Sequence, residues 1–205
     1  MTTIPRLLVL LLLLAAPCLP ARAQFVLTPG SYELTNGGAG AASLRLVLAE
    51  NGTPTLLMGV KNGKSRTFRS AEVKTVVIGK QRFIRVDGFR FRFGEDATFT
   101  DPVLLESLET GPVELFYYYY LAYLGPNFTA HVKLPVLRKQ GTTTFFAYSP
   151  GRTPGFDAKL APGTFVAALF PADPVLQRQF ATNSVSRAQL MAAVRAYNQG
   201  VRLPR

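Results

Sequence analysis

Four kinds of side chain in this 205-residue sequence could carry chemistry: one histidine, a trio of glutamates, a block of arginines and a run of tyrosines. His131 is the only histidine. A Ser-His-Asp triad would use it as general base, but no Gly-x-Ser-x-Gly elbow presents a nucleophile and no serine is otherwise marked. His131 lies in an alternating stretch (Ala130, His131, Val132, Lys133, Leu134) and reads as an ordinary strand histidine. With Cys18 as the only cysteine, the chain cannot build a Cys/His zinc centre, a haem attachment motif or a disulfide framework. P-loop and dinucleotide fingerprints are missing, and no cofactor is expected.

Glu106, Glu109 and Glu114 flank the turn at Gly111-Pro112. Glycoside hydrolysis needs two carboxyl groups held ~5–9 Å apart, and a hairpin can bring such residues together. The plainer reading is solvated charge at strand ends. A non-enzymatic protein is therefore the leading expectation. An envelope glycan hydrolase using a carboxylate pair, with Glu106 or Glu114 in it, is the alternative.

The arginines belong to a strongly uneven charge distribution. Residues 61–92 hold ten Lys/Arg, among them Arg82, Arg85, Arg90 and Arg92, against only Glu72 and Asp87. Residues 93–116 then hold six acids and no base. Basic and acidic strands lying side by side would pair across a sheet, which is the ordinary account. An open basic face would instead draw an anion-rich partner by long-range attraction. Tyr117, Tyr118, Tyr119 and Tyr120 follow directly, and four consecutive residues of a strand must point to both faces. One pair is expected in the core and the other, with Tyr117 and Tyr119 as its members, on a surface that could stack against sugar rings or a protein partner.

These residues must be positioned by local elements, and the chain is punctuated accordingly, with 17 Gly and 15 Pro. Up to about residue 149 it reads as short strands. Leu44, Leu46 and Leu48 alternate on one face, and Glu50-Asn51-Gly52 turns the chain into a returning strand at 54–60. A second turn at 61–64 precedes strands at 65–68 and 73–78. Residues 82–93 read as a hairpin around Asp87-Gly88, with Phe89, Phe91 and Phe93 on its core face. Strands at 103–108 and 113–124 flank Thr110-Gly111-Pro112, the second long enough to need a bulge or bend. Two more, at 131–137 and 142–148, enclose Gln140-Gly141.

The composition changes at the Pro/Gly-rich stretch 150–163, and short helical pieces follow at 164–170 and 175–182. The final helix is the best marked: Ser186 caps it, Gln189 completes a capping box, Leu190, Met191, Val194 and Tyr197 form its apolar stripe, and Gly200 ends it. The fold expected is α+β, a mainly antiparallel sheet or open barrel with a short C-terminal helical part packed on the same domain.

At the other end of the chain, Arg6 precedes ten apolar residues, Leu7 to Ala16, and Ala21-Arg22-Ala23 precedes Gln24. This is the three-part pattern of a secretory signal peptide, cleaved after residue 23. Ten residues of helix span about 15 Å, half of a bilayer core of roughly 30 Å, so an anchor is not expected. Lipidation at Cys18 is disfavoured by Pro17, which stands where a small residue belongs. Cleavage removes Arg6, Arg22 and Cys18, so the net charge of +11 falls by two to +9 and no cysteine remains. Export also withdraws nucleic acid as a partner of this basic chain.

The order of elements resembles a broad group of uncharacterised exported proteins of Bacteroidota. The resemblance is carried by the leader ending before Gln24, Thr67-Phe68, Ser70-Ala71-Glu72-Val73, the stretch 105–108, Gly111 before the aromatic strand, and Val194-Arg195-Ala196-Tyr197-Asn198 in the last helix. It spans most of residues 24–200; residues 150–163 depart from it, being Pro/Gly-rich where the group is more charged. It implies export and architecture, and no catalytic residue. It also makes the glycosylation sequons at Asn51 and Asn127 irrelevant, since these matter only in a eukaryotic secretory pathway. The expected protein is a periplasmic or extracellular binding module using the basic hairpin region, with anionic glycan, lipopolysaccharide or another protein as partner.

Overall fold

In the computed structural model, residues 27–48, 54–59, 65–92, 96–99, 101–125, 128–148, 163–182 and 184–200 are described. The expected leader and its cleavage point, the turns at 50–52 and 61–64, Asn51, Asn127 and residues 150–162 lie outside them. The strands are β1 (Thr28–Leu34), β2 (Ala39–Leu48), β3 (Pro54–Gly59), β4 (Ser65–Arg69), β5 (Val73–Ile78) and β6 (Gln81–Val86). They continue as β7 (Phe89–Arg92), β8 (Asp96–Phe99), β9 (Val103–Glu109), β10 (Val113–Gly125), β11 (Phe128–Lys139) and β12 (Thr144–Ala147). Three helices follow, α1 (Gly163–Ala167), α2 (Pro174–Ala181) and α3 (Arg187–Asn198).

All twelve strands join one open sheet in the order β4-β3-β2-β1-β5-β6-β9-β10-β11-β12-β7-β8. Each neighbouring pair is antiparallel except β12 and β7, where Phe145 lies opposite Phe91 in a parallel register. The protein is thus α+β and mainly antiparallel, with its helices at the C-terminal end. The sheet does not stay flat. Five strand spacings, ~24 Å if flat, separate β2 from β10, yet their Cα atoms approach within 8 Å. The first eight strands of the order therefore curl into a trough. Its inner face buries Leu44, Leu56, Phe68, Val76, Phe83 and Leu104 in one cluster.

The opposite face of β9, β10 and β11 builds a second cluster from Leu105, Phe116, Tyr118, Tyr120, Val132, Leu134 and Val136, joined by Phe145 of β12. A third cluster joins sheet to helices: Val113, Leu115, Leu137 and Tyr148 pack against Val166, Phe170, Leu176, Phe180, Leu190 and Val194. The C-terminal segment therefore shares a core with the sheet. Each aromatic or aliphatic side chain buried there contributes about 1.5–3 kcal/mol, which anchors even five-residue α1.

Two departures from the sequence expectation matter for function. The hairpin expected at 82–93 does not form. Gly88 does take a positive φ of 51°, but β6 pairs with β5 and β9, while β7 crosses to the far end of the sheet between β12 and β8. Both edges of β6 are taken, so β7 has nowhere beside it to pair. The apolar stripe of α3 is also rotated. Leu190 and Val194 are buried as expected, but Met191 is 42% exposed, and Ala193 and Ala196 face inward instead. The Ser186–Gln189 capping box is formed as expected, and Gly200 follows the Gln199 cap with φ 67°.

Candidate functional site

Register fixes which side chains share the inner face of the trough. Phe83 lies opposite Glu106, and Glu106 opposite Tyr117, so Gln81, Phe83, Glu106, Tyr117 and Tyr119 all project to that side. Tyr119 in turn lies opposite Lys133 of β11. Glu106 follows three buried apolar residues of β9 and is itself only 7% exposed. Both of its oxygens are occupied: Gln81 Nε2 donates to Oε1 at 2.9 Å, and the Tyr119 hydroxyl donates to Oε2. Gln81 Nε2 also reaches the Tyr119 oxygen at 3.3 Å, closing a small polar ring inside an apolar trough.

The electrostatics of this ring favour holding protons over releasing them. Burial, then the hydrogen bond and charge of Glu106, push the Tyr119 phenol far above its usual value of 10.0. Tyr119 is therefore a neutral donor, unsuited to act as a nucleophile at ordinary pH. Lys133 stands at the rim. Its exposed ammonium lies 5.1 Å from the Tyr119 ring centroid and 5.7 Å from that of Tyr117. The tyrosine run thus divides as its alternation requires. Tyr118 and Tyr120 stack at 5.9 Å in the second core, whereas Tyr117 and Tyr119 are half-buried and carry a cation on their faces.

The three glutamates do not converge. Glu114 projects to the face opposite Glu106 and pairs with Arg138 at 2.6 Å. Glu109 lies on the same side as Glu106 but is held by Arg195 of α3, whose Nε donates at 2.9 Å. Each carboxylate has its own partner, and no two of them frame a common point. Nor does any group of three or more His, Cys, Asp or Glu gather into a metal site among the described residues. For His131 the structure gives a backbone register opposite Leu121 and no more.

The arginines are dispersed by the failed hairpin. Arg82 is exposed on the outer face of the trough, and Arg85 is half-buried, donating from Nε to Asp87 at 2.6 Å and from a terminal nitrogen to the Ala71 carbonyl at 2.7 Å. Arg90 and Arg92 sit on β7, opposite Thr144 and Phe146 of β12 on one side and Thr98 and Asp96 of β8 on the other. The expected cross-strand neighbours of opposite charge do occur at the far end of the sheet, where Arg92 of β7 lies opposite Asp96 of β8. Although β6 and β9 are neighbours, Glu109 and Glu114 take Arg195 and Arg138 from the C-terminal region instead. Lys80 and Arg82 remain exposed, with no ion pair among the described residues.

No protein-family model, curated protein or solved structure matches the chain. The site has to be read from its own geometry. Among the described residues, no helix is long and apolar enough to cross a membrane. Sequence reasoning found Tyr117 and Tyr119 but missed Gln81 and Lys133. Alternation would have put Lys133 on a strand face, but only the β10–β11 register shows which tyrosines it covers.

Proposed function

We propose that the protein is an exported cell-envelope binding module that engages an anion-rich partner through bases on the outer face of the trough. The observation that carries this reading is the choice of ion-pair partners. Glu114 and Glu109 of the 93–116 stretch pair with Arg138 and Arg195, while Lys80 and Arg82 of the 61–92 block have no ion pair among the described residues and stand open to an external anion. Arg69 and Arg82 are exposed on that outer face, opposite the buried Phe68 and Phe83. Lys80 is exposed in the turn between β5 and β6. The partner chemistry this suits is acidic glycan, lipopolysaccharide phosphate or an acidic protein surface. The signal-peptide pattern and the resemblance to exported Bacteroidota proteins support the location.

Reversing Arg69, Lys80 and Arg82 to Glu tests the assignment. The variant should lose salt-sensitive binding to anionic glycan or anionic vesicles while keeping its far-UV spectrum. Retention of wild-type affinity by a folded variant would place the contact elsewhere. A hydrolase built on a carboxylate pair including Glu106 or Glu114 is disfavoured, because Glu114 lies across the sheet from Glu106 and is bound to Arg138, and Glu109 is bound to Arg195.

A further inference from the structure

We propose that Tyr117, Tyr119 and Glu106 form an ammonium-recognition site, which the chain's own Lys133 occupies and which accepts the primary or quaternary ammonium of a ligand. Three independent features converge on it. The Glu106 carboxylate is 7% exposed and its two partners, Gln81 and Tyr119, are both neutral, so among the described residues no ion pair compensates its charge. A carboxylate offers about four lone-pair directions, and these two donors leave acceptor capacity unused. Tyr117 and Tyr119 present two ring faces on the same side, and aromatic faces attract cations through their quadrupole. A cation already sits there: the Lys133 ammonium lies over both rings at 5.7 and 5.1 Å.

Lys133 is exposed and the two tyrosines are half-buried, so the amine can swing into solvent without unpacking a core. In its place a ligand ammonium would meet the same two rings beside the buried carboxylate. The site lies on the inner face of the trough and is independent of the outer basic surface. Because an intramolecular occupant lowers the fraction of competent sites, apparent affinity in the wild type is reduced by that fraction.

The chain has no tryptophan to mask tyrosine emission, to which Tyr117 and Tyr119 contribute, so that emission is followed as the binding signal. Choline chloride is titrated into the wild type and Lys133→Ala, beside 3,3-dimethylbutan-1-ol, the neutral isostere of choline. The proposal expects Lys133→Ala to bind choline roughly tenfold more tightly than the wild type, and to prefer choline over the alcohol. Adding Glu106→Gln or, where that variant does not fold, Tyr117→Leu should abolish the gain. Binding to phosphatidylcholine vesicles as well as to choline would assign a lipid headgroup as the source; binding to choline alone would assign a free amine. If Lys133→Ala responds equally to choline and the alcohol, or binds choline no better than the wild type, the proposal is overturned.

Discussion

Glu106 sits where a carboxylate is expensive to bury, and the cost is met by two hydrogen bonds from neutral donors in place of a counter-ion. Losing one donor should therefore be felt. Tyr119→Phe keeps the ring but leaves Glu106 Oε2 short of a partner, with an expected loss of about 1–3 kcal/mol in denaturant unfolding. Tyr117→Phe, half-buried and two residues away, should stay within about 0.5 kcal/mol of wild type. The contrast separates the hydrogen bond from the aromatic packing. At this scale the tyrosine run was legible, because strict alternation forces two environments on four consecutive residues. The partners of Glu106 were not, since Gln81 and Tyr119 come from different strands and only tertiary register brings them together.

The β9–β10 turn shows how an element is fixed by another 85 residues away. Asn198 of α3 accepts from the Val113 N–H at 3.0 Å and donates to the Val113 carbonyl at 2.7 Å, bonding to that backbone as a neighbouring strand would. The fit leaves room only for glycine at the turn. Gly111 has φ 148°, and a Cβ there would lie 2.7 Å from Asn198 Cγ. Gly111→Ala should cost about 1–3 kcal/mol through backbone strain and displacement of Asn198. Asn198→Ala should cost a similar amount by leaving Val113 unpaired, and the double variant should cost less than the sum. Thermal unfolding of the three proteins tests this. Elements with dense local signals were readable in advance: the capping box of α3 and the turn at Gly111-Pro112 are both in place. β1 was not anticipated, because TPGSYEL has few strand formers and is held by pairing to β2 and β5 on both sides. The Asp87-Gly88 signal misled for the complementary reason. The loop conformation is local, but pairing depends on whether an edge is free.

Across the whole molecule the same sheet separates its contents: an apolar trough with a polar spot on one side, tyrosines buried on the other, bases outside. Buried phenols give this arrangement a pH signature. Burial pushes Tyr120 and Tyr148 up to about 12, and raises Tyr118 and Tyr119 in the same direction. A raised phenol value means that the fold favours the neutral form. The associated stability is complete below pH about 10 and is lost as pH climbs through about 12. Absorbance at the tyrosinate band, followed with circular dichroism, should show late ionisation of Tyr118, Tyr119, Tyr120 and Tyr148 that coincides with unfolding. Mainly antiparallel α+β architecture followed from alternation and turns, but the curl of the sheet did not. It depends on β2 meeting β10, a contact between strands about 70 residues apart.

The open basic surface makes the sharpest demand on experiment. Screening lengths run from about 30 Å at 0.01 M salt to about 3 Å at 1 M, so binding driven by exposed bases must follow salt. The deciding measurement is co-sedimentation of the chain from Gln24 onward with anionic and with neutral vesicles across that range. Capture by anionic vesicles that is strong at low salt and lost at high salt is the predicted result. No capture at low salt, or capture indifferent to salt, would contradict the assignment of the outer face as an anion-binding surface.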